Sequence, residues 1–123
     1  MKVTKLSEIK HNKHEVDADR ETLGRLATKV ANLLVGKNKI YFTRHLDCGD
    51  FVTIKNSQKI KVTGKKAETK KYTRYSGYPA GLKTKVLGKI IKTNPTEVIH
   101  HAVLGMLPNN KLRDIWIARL KYV

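Results

Sequence analysis

Between Phe51 and Thr96 the chain sets twelve lysines and arginines against one acid, Glu68. The flanking stretches are closer to balance: residues 1–50 hold ten basic and seven acidic side chains, and residues 97–123 hold four and two. Most of the formal charge of +16 therefore belongs to the middle third. Charge at that density repels itself unless a polyanion neutralises it, which points to nucleic acid and away from a typical metabolic enzyme. The remaining composition bounds the frame. A chain of 123 residues is the size of one domain, and its 40% hydrophobic content suffices for one modest core. The single cysteine, Cys48, leaves no internal disulfide and no thiolate zinc site. The start, MKVTKLSEIK, has no apolar run of signal-peptide type, and nowhere do about 18 apolar residues occur together. The expectation is a soluble, intracellular, polyanion-binding domain.

Along the chain, residues 1–13 are polar and aperiodic and read as a loose arm, with a single α/β domain expected over 14–123. His14 to Asp19 alternates enough for a short strand. Leu23, Leu26, Ala27, Val30, Leu33 and Leu34 follow helical spacing, with Thr22 placed to cap and Gly36 to stop the helix. Ile40 to Phe42 suggests a short extended piece, and Asp47 to Asp50 a turn. Phe51 to Ile54 and Ile60 to Thr63 are rich in β-branched residues and read as strands. Residues 64–81, GKKAETKKYTRYSGYPAG, read as one long irregular loop, of a length that is often functional. Leu82, Val86, Leu87, Ile90 and Ile91 suggest a helix. A second spans 95–107, with Asn94 to cap it, Pro95 at its first position and Val98, Ile99, Ala102, Val103 and Met106 as its apolar face. A short helix from Leu112 to Ile117 and a strand through Leu120 and Tyr122 complete an α/β alternation.

Catalytic motifs find no support. Gly36-Lys37-Asn38, Gly64-Lys65-Lys66 and Gly88-Lys89-Ile90 lack the hydroxyl and the upstream glycine of a phosphate-binding loop. His100 and His101 are adjacent, so on a helix they diverge by about 100° and chelate poorly; His11 and His14 lack further ligands. Asp17, Asp19 and Asp50 read as turn and strand-end aspartates, and Ser76 lacks the flanking glycines of a nucleophile elbow. No cofactor or metal is expected. The loop at 64–81 is different, because it interleaves lysines and Arg74 with Tyr72, Tyr75 and Tyr78 and closes on Gly77, Pro79 and Gly81. Cations neutralise phosphates, tyrosine faces stack on unpaired bases, and glycines permit close backbone approach.

The string KYTRYSGYPAGLK, followed by a helix and then AVLGMLPNNKL, resembles the bacterial and organellar type of large-subunit ribosomal protein L-thirteen. VDADRETLGRLATKVANLLVGK and CGDFVTIKNSQKIKVTGKK extend the likeness, in order and in register, from His14 to Lys121. The chain departs from the commoner family pattern at Tyr75, where histidine is usual, and at Ala80, where a second glycine is usual. The resemblance implies an α/β fold, a small three-layer α/β/α domain with a mostly parallel four-stranded sheet between helices and basic extensions. It implies a structural role, binding large-subunit ribosomal RNA early in assembly beside neighbouring ribosomal proteins, in the bacterial cytoplasm or an organelle, with no membrane and no obligate homo-oligomer. Within the loop, Lys65, Lys66, Lys70, Lys71 and Arg74 are the expected phosphate contacts and Tyr75 and Tyr78 the stacking residues. Arg20, Arg25, Lys37 and Lys39, around the first helix, are secondary contacts. A free-standing RNA-binding module and a small nucleotide- or nucleic-acid-processing enzyme are the alternatives.

Overall fold

Leu26, Ala27, Val30, Ala31, Leu34 and Val35 recur at helical spacing, and in the computed structural model, which describes residues 4–123, all six are buried. In chain order the elements are β1 (Lys13–Asp17), α1 (Leu23–Val35), β2 (Phe51–Lys55), α2 (Lys66–Thr69), β3 (Lys71–Tyr75), β4 (Leu82–Val86), α3 (Leu87–Thr93), α4 (Pro95–Met106), α5 (Leu112–Ala118) and β5 (Leu120–Tyr122). Short 3₁₀ turns at Leu6–Glu8 and Ser57–Lys59 complete them. Gly36 ends α1 in the left-handed conformation at φ 84°, its N–H returning to the Asn32 carbonyl. Thr22 precedes α1 in extended backbone but makes no side-chain cap.

β1, β2 and β5 form a parallel sheet in the order β1-β2-β5. Its pleat sends Val16, Val52, Ile54, Leu120 and Tyr122 into the core, where they meet α1, Ile99 and Val103 of α4, and Trp116 of α5. The opposite face carries exposed Lys13, Glu15, Asp17, Phe51, Lys55 and Lys121. Helices thus cover one face of a three-stranded sheet, where a four-stranded sheet between two helical layers was expected. The missing strand is Ile60–Thr63. The turn at Ser57–Lys59 redirects the chain after β2, Ile60 drops into the core, and Lys61 makes a single bridge to Thr22. Ile40 to Phe42 forms no strand either.

The second difference lies in residues 64–91. The stretch read as a loop holds α2 and β3, and the first half of the expected helix is β4, which pairs antiparallel with β3 from Lys71↔Val86 to Tyr75↔Leu82. Leu82, Val86 and Ile90 do sit at helical spacing, but Lys83 and Lys85 alternate with Leu82, Thr84 and Val86 at period two, and cross-strand pairing satisfies the backbone. Only Leu87–Thr93 is helical. A small cluster of Leu87, Ile90 and Val98, with Tyr72 and Val62 against it, fastens this hairpin to α4. α4 matches its expectation at Pro95, Val98, Ile99 and Val103, whereas Met106 is exposed, and the Asn94 side chain accepts from the Thr96 hydroxyl instead of capping the backbone.

Candidate RNA-binding surface

The β3–β4 register divides the hairpin's side chains between two faces. Tyr72 opposes Lys85 and Arg74 opposes Lys83 on one; Lys71, Thr73 and Tyr75 oppose Val86, Thr84 and Leu82 on the other. At the tip the Ser76 N–H donates to the Gly81 carbonyl at 3.2 Å and the Gly81 N–H to the Tyr78 carbonyl at 2.9 Å. A Cβ on Gly81 would stand 1.9 Å from Ser76 Oγ and 2.9 Å from the Tyr78 carbonyl, so this closure requires glycine. The tight turn leaves Tyr75, Tyr78 and Leu82 exposed at 63%, 76% and 61%, large flat and apolar surfaces with nothing over them among the described residues. Lys65 and Lys66 open α2 at the base of the hairpin, and both are exposed, as are Lys70 and Lys71.

Tyr72 is half-buried, which pushes its phenol pKa up. Its ring meets the His101 imidazole edge to face at 4.8 Å, and the Lys70 ammonium lies 5.7 Å from its centroid. It is therefore a wall and a plug, not a free stacking platform. Beside it opens a cleft of about 420 Å³ between the hairpin and α3–α4, lined by Tyr72, Arg74, Lys83, Lys85, Glu97 and His101 among others. Lys83, Lys85 and Glu97 were not among the contact residues expected from sequence. The Lys-Thr-Lys alternation was the signal that could have placed the two lysines together on one strand face.

The secondary candidates separate. Arg20 is exposed in a left-handed turn at φ 61°, Arg25 is exposed on α1 and Lys37 is exposed just beyond it. Lys39 is a correction. Its side chain is 8% exposed and its ammonium pairs with the Asp50 carboxylate, itself 1% exposed, so it holds the fold together and does not face solvent. Asp50 also accepts the Asn12 N–H at 2.9 Å and His14 Nε2–H at 2.8 Å. Burial pushes its carboxyl up, but the hydrogen bonds from Lys39, Asn12 and His14 outweigh burial and hold it below the ordinary value. Asp50, read from sequence as a turn or strand-end aspartate, stands just before β2 and is a buried tie. Asp47 makes a second tie, accepting Arg119 Nη1–H at 2.8 Å and Trp116 Nε1–H at 3.1 Å.

Asp17, at the far end of β1 from the Asp50 tie, accepts from Asn56 Nδ2–H at 3.0 Å and the Asp19 N–H at 2.9 Å, and the Asn56 bond leads in lowering its carboxyl pKa. The three aspartates read from sequence do not converge. Among the described residues no three His, Cys, Asp or Glu side chains are grouped to hold a metal ion, and no helix is long and apolar enough to cross a membrane. What the arrangement supplies is exposed ammonium and guanidinium groups beside exposed aromatic rings, the chemistry that holds phosphates and unpaired bases.

Comparison with known proteins identifies the family. Residues 11–122 match the family described as ribosomal protein L13. The chain is 51% identical over 117 residues to the large ribosomal subunit protein uL13 of Psychrobacter arcticus, covering 95% of this chain and 82% of that one. It is 48% identical over 117 residues to the protein of the same name from Dehalococcoides mccartyi, with the same coverage, and 47% identical over 119 residues to that of Thermoanaerobacter sp., covering 97% and 83%.

Proposed function

Because the chain belongs to the ribosomal protein L13 family, we propose that it grips large-subunit ribosomal RNA through the β3–β4 hairpin and the base of α2. The chain is a structural, non-enzymatic constituent of the large ribosomal subunit. The observation that carries the assignment of the RNA-binding region is the hairpin itself: an antiparallel pair, packed on α4 through its own apolar cluster, that carries exposed cations and exposed tyrosines. Packed RNA helices repel one another, and a folded cationic projection lets their backbones approach. Lys65, Lys66, Lys70, Lys71 and Arg74 meet phosphates, joined by Lys83 and Lys85 on β4, while Tyr75 and Tyr78 stack on unpaired bases or sugars. Arg20, Arg25 and Lys37 form a second, weaker contact around α1. Binding of this kind belongs to early assembly of a bacterial-type subunit, in the cytoplasm or an organelle, with other ribosomal proteins as neighbours.

The test is a salt titration on ribosomal RNA fragments. Each phosphate contact contributes about 0.7–0.9 to the slope of log affinity against log salt. Lys65→Ala with Lys66→Ala should weaken binding and flatten that slope by roughly 1–2. Lys5→Ala with Lys10→Ala, in the N-terminal segment, measures generic positive charge. Equal losses in the two pairs would make the field diffuse and remove the assignment to the hairpin base.

A further inference from the structure

Glu97 is out of place in a cleft built for phosphate. It stands exposed in the first turn of α4, on the wall of the cleft that Arg74, Lys83 and Lys85 also line, and no ion pair or side-chain hydrogen bond engages its carboxylate among the described residues. A site selecting phosphate alone gains nothing from a carboxylate, which repels it. A carboxylate on the wall of an otherwise cationic cleft is useful when the occupant brings hydrogen-bond donors as well as negative charge. A nucleotide does so, with phosphate at one end and base donors at the other.

The four bases differ in what they offer. Guanine alone has two adjacent donors, N1–H and the N2 amine, spaced to meet both oxygens of one carboxylate. Adenine and cytosine present a single exocyclic amine beside an acceptor nitrogen, and uracil flanks its one N–H with two carbonyls. A free carboxylate therefore favours guanine and disfavours uracil most. The remaining dimensions agree. The cleft is about 420 Å³, within the roughly 300–1,000 Å³ of small-molecule pockets, and Tyr72 with His101 supplies flat walls. The cations come from β3 and β4 and the acid from α4, so phosphate and base edge are held by different elements.

We propose that this cleft receives one unstacked guanosine nucleotide of the bound RNA, its phosphate on Arg74, Lys83 and Lys85 and its Watson–Crick edge on Glu97. The proposal rests on the RNA-binding reading above and adds to it a base-selective subsite. The phosphate half orients the nucleotide without regard to sequence, and the Glu97 half selects it.

The experiment titrates the full chain with guanosine, adenosine, cytidine and uridine 5′-monophosphates, following the ring resonances of Tyr72 and His101. The guanosine nucleotide should bind about tenfold or more tighter than the uridine one, the discrimination expected of one good bidentate base contact. Glu97→Gln, which replaces one acceptor by a donor, should abolish the preference while leaving weak binding of all four. Lys83→Ala with Lys85→Ala should weaken all four alike. Equal affinities in the unaltered chain, no response of the two rings to the guanosine nucleotide at millimolar concentration, or a preference that survives Glu97→Gln would each overturn the proposal. If those results come while the Lys65/Lys66 pair still lowers affinity for ribosomal RNA, the subsite alone is lost. If that pair also costs nothing, the RNA-binding assignment fails with it.

Discussion

The carboxylate of Asp50 is 1% exposed and has three donors: the Lys39 ammonium, the Asn12 N–H and His14 Nε2–H. Removing one partner of a buried ion pair leaves the other uncompensated, at a cost of about 3–5 kcal/mol. Lys39→Ala should therefore lower the urea midpoint strongly, whereas Lys37→Ala, two residues away and exposed, should stay within about 0.5 kcal/mol of the unaltered chain. The pH dependence has a definite sign. The Asp50 carboxyl is lowered in the fold, so its contribution is fully present above the ordinary carboxylate range and drains away as pH falls through the lower folded value. Stability measured downward from about pH 5 should fall less steeply in Asp50→Asn than in the unaltered chain; equal slopes would mean that this carboxylate is not the linked group. Nothing in the local sequence separates Lys39 from Lys37. The difference arises because the chain from Lys37 to Asp50 folds back so that Lys39 and Asp50 meet.

At the scale of elements, α1 and α4 were legible because their information is local: each repeats apolar residues at a spacing that only a helix gathers onto one side. Leu26 and Val103, both at 0% exposure, sit at the centre of those stripes. An unpaired carboxylate at either place costs several kcal/mol against a total stability of roughly 5–15, so Leu26→Asp or Val103→Asp should abolish cooperative melting. Near-normal thermal melts would contradict both helix faces. The hairpin was half legible. Its composition singled out residues 64–81 as cationic and tyrosine-rich, but the strands within it depend on two segments pairing, and the apolar positions of β4 also fit a helix. Because Tyr78 is 76% exposed and supports no core, Tyr78→Ala should leave the melt unchanged. It should lower affinity for ribosomal RNA fragments by about 1–3 kcal/mol with the salt slope intact, the signature of lost stacking. A flattened slope would place that residue among the electrostatic contacts instead.

Over the whole molecule, charge and core are segregated. The parallel sheet, α1, α4 and α5 bury the main apolar cluster, while the strongly basic middle third contributes β2 and Ile60 to it and then leaves it for the hairpin. A body organised in this way can be rigid and still present most of its charge to a polyanion. A constituent of the subunit should co-sediment with large subunits through a high-salt gradient. Release into the free-protein fraction under that wash would favour the free-standing module instead.

The sequence by itself determined what depends on composition and local period. It supplied a one-domain size, a polyanion partner, the two long helices with most of their buried faces, β2 and β5, and the cationic, tyrosine-bearing segment. It also carried the motifs that place the chain in its family. Tertiary structure decided what depends on residues far apart in the chain meeting. It left the sheet at three strands with one face open, since the turn at Ser57–Lys59 redirects the chain after β2. It turned Lys39 inward to Asp50 and joined β3 to β4, so that lysines from one strand, an arginine from the other and an acid from α4 border one cleft. A side chain's type and spacing are written along the chain. Which charges cancel, and which are left facing outward, is settled only when the chain has folded.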